Sequence, residues 1–177
     1  MRLFIAIDLP KSFKQEVSRI ASRVKLSSFG GRFVPEEAYH LTLHFLGESE
    51  DLLGAVAAMQ EAVRGFRPFT LHLGKYASFA RGKTHTSIIE IKGELDELRA
   101  LHESLGGALY EHGFPREMKR FTPHITLGRS VEHDEIAEAE LKALSPNASM
   151  TVFGISLFES VRIEGRLIYR TLHKEVF

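Results

Sequence analysis

One short phrase is written twice in this chain. His40-Leu41-Thr42-Leu43 recurs as His124-Ile125-Thr126-Leu127, each time inside an apolar run of strand length. Side chains alternate between the two faces of a strand, so each copy offers an imidazole and a hydroxyl to one side and two apolar residues to the other. In the first copy Phe45 continues the apolar side by the same alternation. A single such tetrapeptide is weak evidence. Two at equivalent places in a repeated run of elements call for a fold that builds the same half twice.

Hydrophobic spacing supplies that repeated run. It predicts a strand over 3–9, a helix opened by Pro10 and closed by Gly30-Gly31, a strand over 39–46 and a helix over 51–63. Strands over 69–79 and 84–91 follow, joined by Ala80-Arg81-Gly82-Lys83, then a helix over 94–111 stopped by Gly113 and Pro115. A strand over 121–127, a helix over 132–144 and strands over 150–158 and 167–177 complete the chain. Hairpins interleaved with helices favour an α+β fold with mainly antiparallel sheet over a doubly wound parallel one. The length of 177 residues suits one domain, 1–177, made of two intertwined lobes.

Composition narrows the chemistry. With no cysteine there is no disulfide, no thiolate metal site and no cysteine nucleophile, which leaves nine histidines as the main acid-base groups. No Gly-x-Ser-x-Gly elbow and no phosphate-binding glycine loop is present, so neither a serine triad nor ATP or NAD use is indicated. No apolar run reaches membrane-spanning length, and a cytoplasmic protein without membrane contact is expected.

The 23 basic residues balance 23 acidic ones, but not evenly along the chain. Residues 62–89 contain no acid and carry Arg64, Arg67, Lys75, Arg81 and Lys83; Arg116, Lys119, Arg120 and Arg129 form a second basic stretch. If the two converge, they make an anion-binding cleft. Glu132, Asp134, Glu135, Glu138 and Glu140 read as the solvated face of a helix.

Two imidazoles facing one cleft suit acid-base catalysis, since histidine is the side chain that both gives and takes a proton near neutrality. The threonine hydroxyls, on the same face, suit the non-bridging oxygens of a phosphate. Chelation by His40 and His44 is a poor alternative, because four residues of strand span about 13 Å. No metal is therefore expected, and no cofactor. His44 reads as a cleft-wall or surface residue, and His72, His85, His102, His112, His133 and His173 as surface or satisfied core residues. Phe79, Phe121 and Phe158 are the aromatics considered for stacking a base.

The paired His-x-Thr-x phrases resemble the 2H phosphoesterase superfamily. The flanking residues are similar to its RNA 2′,3′-cyclic phosphodiesterases, also called 2′-5′ RNA ligases. Arg2 to Leu9 resembles their opening strand, Phe33-Val34-Pro35-Glu36 through Gly47-Glu48 the first motif region, and Phe121 to Arg129 the second. Leu157-Phe158-Glu159-Ser160 with Gly165 and Tyr169 resembles their C-terminal strands. The resemblance implies a bilobal pseudo-two-fold fold, two mainly antiparallel sheets flanked by helices around a central cleft. It also implies metal-independent opening of a cyclic phosphate to a 2′-phosphate. His40 would be the proton donor, His124 the proton acceptor, and Thr42, Thr126 and Arg129 the phosphate ligands. The expected partners are RNA 3′ ends or cyclic nucleotides, bound by a monomer. RNA 2′-5′ ligation in the same site, or an RNA-end binding module without turnover, would use the same cleft. The chain departs from its relatives at Thr84-His85-Thr86-Ser87-Ile88-Ile89, where a tryptophan-bearing strand is common, and at Arg162-Ile163-Glu164-Gly165-Arg166, which lacks a Gly-Pro.

Overall fold

A computed structural model describes residues Met1–Phe177. The elements are β1 (Arg2–Asp8), α1 (Lys11–Leu26), β2 (Gly30–Phe33), β3 (His40–Glu48), α2 (Leu52–Ala62), β4 (Phe69–Arg81) and β5 (Thr84–Gly93). They continue as α3 (Leu95–Glu111), β6 (His124–Glu132), α4 (Glu135–Lys142), β7 (Ser149–Val152), β8 (Gly154–Ile163) and β9 (Arg166–Val176). No helix is long and apolar enough to cross a membrane.

Two sheets form, ordered β3-β1-β8-β9 and β2-β6-β5-β4-β7, and every pairing in them is antiparallel. The repeated unit is strand-helix-strand-helix-strand: β1-α1-β3-α2-β4 and then β5-α3-β6-α4-β8. In each unit the first two strands pair with one another, while the third crosses to the other unit's sheet, giving β3-β1-β8 in one and β6-β5-β4 in the other. Each half thus completes the other.

Local chemistry sets the element ends. Pro10 has the extended backbone of a helix cap, and the apolar stripe Phe13, Val17, Ile20, Ala21 and Val24 of α1 is buried throughout. Asp51 and Asp134 cap α2 and α4 by accepting the Gly54 and Ala137 N–H groups, both at 2.8 Å. The second cap moves the start of α4 well past Glu132, which ends β6. Glu138 is also not solvated as expected, because its carboxylate turns inward onto β4. The residues Gly30-Gly31 do not simply end a helix; they begin the edge strand β2. The strand expected over 150–158 is two strands, because pairing passes from β4 to β9 at Phe153 and Gly154. A side chain at Gly154 would overlap the Glu175 carbonyl of β9.

One core of 38 buried residues runs between the sheets and helices. β1 is covered on both sides: Leu3, Ile5 and Ile7 enter that core, whereas Phe4 and Ala6 form a small second cluster with Phe158, closed by Tyr169. The second cluster underlies the face that carries His40.

Candidate active site

Register places both histidine phrases in matching surroundings. On β3, His40 lies opposite Asp8 of β1 and Thr42 opposite Ala6; on β6, His124 lies opposite Glu90 of β5 and Thr126 opposite Ile88. Each pairing then slips by one residue, with Ile5 opposite His44 and Ser87 opposite Gly128. Leu43 and Leu127, the fourth residue of each phrase, are therefore β-bulges. A bulge inserts one residue and reverses the facing of everything after it.

That reversal corrects two expectations. Phe45 does not join the core but stands 65% exposed on the His40 side, 6.1 Å from the Phe4 ring. His44 is neither cleft wall nor surface; it is 7% exposed and turned into the protein, where Nε2–H donates to the His102 carbonyl at 2.9 Å. His40 and His44 thus face opposite sides of the sheet and share no ion. In the second copy the same bulge brings Arg129 onto the face of His124 and Thr126, where unbroken alternation would have turned it away.

Both imidazoles are held alike. His40 Nδ1 lies 2.7 Å from the Ala38 carbonyl, and His124 Nδ1 lies 2.6 Å from the Thr122 carbonyl. A carbonyl only accepts, so each Nδ1 bears the proton, and each Nε2 is left free to take or give one. The carbonyl two residues before each histidine fixes tautomer and ring direction together.

The surroundings then differ. His40 meets Phe4 at 4.9 Å and the edge of Tyr169 at 5.0 Å, beside a cavity of about 160 Å³ whose walls include Asp8, Lys14 and Thr171. Burial pushes the His40 pKa below the ordinary histidine value, and the positive charges of Lys14 and Arg129 push the same way. The Ala38 carbonyl and the Asp8 carboxylate oppose the shift. Arg129 acts on His40 from the other sheet, so the cleft is bounded by both halves. Asp8 is itself held by Ser156 Oγ–H at 2.8 Å and Lys174 Nζ at 3.2 Å. Burial raises the Tyr169 pKa, with Arg129 and Arg2 opposing. On the second strand, Phe79 stands edge-on to His124 at 5.7 Å.

Thr42 and Thr126 are half-buried beside their histidines, and Arg129 is exposed. Of the three aromatics considered for stacking, Phe79 is 42% exposed at the site. Phe158 is buried in a stack with Phe4, and Phe121 lies flat on His102 at 3.9 Å. Phe4, Asp8 and Lys14 lie outside the residues that the two phrases and the basic stretches single out. A signal for the first two was available: Phe4, Ala6 and Asp8 share the parity of the strand face that pairs with His40 and Thr42. Lys14 comes from α1, outside both basic stretches.

The chain is similar to known proteins along nearly its whole length. Residues 9–164 match the family model of the 2′-5′ RNA ligase superfamily. An RNA 2′,3′-cyclic phosphodiesterase of Thermotoga maritima is 33% identical, over 98% of this chain and 94% of that protein. Among solved structures, TT0787 of Thermus thermophilus aligns with a TM-score of 0.79 at 28% identity, over 99% of this chain and 97% of that one. E. coli LigT complexed with 3′-AMP aligns with a TM-score of 0.78 at 27% identity, over the same shares.

Proposed function

The chain belongs to the 2′-5′ RNA ligase superfamily, and from that premise we propose that it is an RNA 2′,3′-cyclic phosphodiesterase. It opens the cyclic phosphate of an RNA 3′ end or a nucleotide to a 2′-phosphate, using two histidines and no metal in the chemical step. The observation that carries this reading is the duplicated lock: each Nδ1–H on a carbonyl, each Nε2 free, one from each half of the fold.

In the proposed reaction His124 Nε2 takes a proton from water as the water oxygen bonds to phosphorus. The bond from phosphorus to the 3′ oxygen breaks, and a protonated His40 gives its Nε2 proton to that oxygen. One proton is taken and one given, and the products are a 2′-phosphate and a 3′-hydroxyl. Thr42 and Thr126 donate to the non-bridging oxygens, and Arg129 offsets their charge. Acid and base contribute about 10²–10⁴ each in rate, with fixed donors acting on the charge that grows in the transition state.

Role assignment within the pair rests on family resemblance, and one observation favours the exchange of roles. Burial keeps His40 neutral more readily, which suits a base; as the acid, it needs the negative phosphate to draw its pKa back up. An aryl phosphodiester separates the two cases, because a phenolate leaves without a proton. With this substrate, His40→Ala should recover most of its activity while His124→Ala stays inactive. Recovery by His124→Ala alone would exchange the roles, and recovery by neither would remove the acid-base assignment.

A further inference from the structure

Just past the end of β6 the His133 side chain is 0% exposed. Its Nε2 lies 2.9 Å from the Tyr76 hydroxyl, which is also 2.9 Å from Ser87 Oγ. Its Nδ1 is buried without a hydrogen-bond partner. Glu138 of α4 repeats this division: Oε1 accepts from Ser78 Oγ at 2.8 Å and faces Lys142 Nζ at 3.3 Å, while Oε2 is buried and accepts no hydrogen bond. Although Oε2 lies 2.8 Å from His133 Nε2, that ring position is directed at Tyr76 and not at the carboxylate. A third group adjoins them. The His85 ring of β5 is 4.5 Å from the His133 ring, and its Nδ1 is 3.5 Å from Ser78 Oγ. One ligating atom from each of His85, His133 and Glu138 lies within 4.8 Å of the others.

Unmatched buried polar atoms are destabilising, and here one on His133 and one on Glu138 lack a partner. Protonating His133 does not supply it, because Nδ1–H then lacks an acceptor. A divalent cation does, by taking a lone pair from the imidazole and one from the carboxylate. Two imidazoles and a carboxylate are a donor set suited to zinc, and atoms bound to tetrahedral zinc lie about 3.4 Å apart. Side-chain rotation must bring the three groups, now within 4.8 Å, to that value. The hydroxyls of Tyr76 and Ser78 hold His133 Nε2, Glu138 Oε1 and, at 3.5 Å, His85 Nδ1, which leaves the other polar atom of each residue for an ion and matches the outer partners that metal-binding residues have. Lys142 opposes a cation, but it is 56% exposed and free to swing out.

We propose that His85, His133 and Glu138 form a binding site for one zinc-class divalent cation, separate from the catalytic pair, that ties α4 to the β4–β5 hairpin. The test uses the full untagged chain stripped by a chelator, titrated with cobalt and followed by visible absorption, then back-titrated with zinc. One cation per chain is expected, together with a rise in melting temperature on zinc addition. Glu138→Gln and His85→Ala should abolish both responses, and Tyr76→Phe should weaken zinc binding about 10–100-fold. Cleavage of a cyclic phosphate by the stripped wild-type chain should persist, so the two sites are read separately. A stripped wild-type chain that binds no cobalt overturns the proposal. So does uptake that is equal in wild type and variants, since it would come from other histidines.

Discussion

Acidification should weaken the fold through a stack of rings on the reverse side of β3. His44 lies parallel to His102 at 4.2 Å, and His102 lies parallel to Phe121 at 3.9 Å. Gly106, one turn along α3, makes room for this contact; a Cβ there would stand 3.1 Å from His44 Cε1. A proton on His102 puts charge into a largely apolar stack. Burial, helped by the charge of His44 and opposed by the Leu43 carbonyl, lowers its pKa to about 4. Burial lowers His44 as well. Between about pH 6.5 and about pH 4 the unfolded chain then binds more protons than the folded one, so stability falls as pH falls through that window. At about pH 5 the full shift of His102 alone corresponds to about 2 kcal/mol, which its partly exposed edge reduces to about 1 kcal/mol. Urea unfolding followed by far-UV circular dichroism at about pH 7.5 and about pH 5 measures the loss. His102→Phe keeps the stack and the backbone carbonyl that His44 donates to, but removes the titrating group. It should lose about 1 kcal/mol less than wild type on acidification. An equal loss in both proteins would refute the reasoning.

Three further outcomes concern the cleft. Thr42→Val and Thr126→Val, assayed by steady-state kinetics, should each lower kcat by about 10–10² with little change in KM, as expected for donors that act on transition-state charge. Arg129→Ala should raise KM for an RNA end and flatten its dependence on salt, measured across an ionic-strength series. The pH–rate profile should be bell-shaped. Because Asp8 holds the His40 pKa up, Asp8→Asn should move the limb belonging to His40 toward lower pH.

Much of this was legible in the sequence, for identifiable reasons. The apolar stripe of α1 and the strands bearing the two phrases follow from spacing alone, because one face of each is buried. The bulges at Leu43 and Leu127 do not, since nothing in a local pattern shows that a partner strand skips a residue. Simple alternation without them puts Phe45 on the wrong face and His44 outside the core. Arg129 carries a trace of the second bulge: it shares the face of His124 although it lies five positions, an odd number, further along the strand. The edge strand β2 was hidden because Gly30-Gly31 reads as a helix stop. The inward turn of Glu138 was hidden because its partners, Ser78 and His133, lie far away in sequence. The exchange of β4 and β8 between halves is likewise a matter of long-range pairing, which a strand's own residues do not encode.

The central claim is that two imidazoles, one from each half, open a cyclic phosphate without a metal in the chemical step. Its most direct measurement is product analysis on an oligonucleotide ending in a 2′,3′-cyclic phosphate, with excess chelator, for wild type, His40→Ala and His124→Ala. The account predicts a 2′-phosphate from wild type at an undiminished rate, and a loss of at least about 10² in each variant. A 3′-phosphate product, a ligated product in place of hydrolysis, activity lost to the chelator, or either variant turning over like wild type would contradict it.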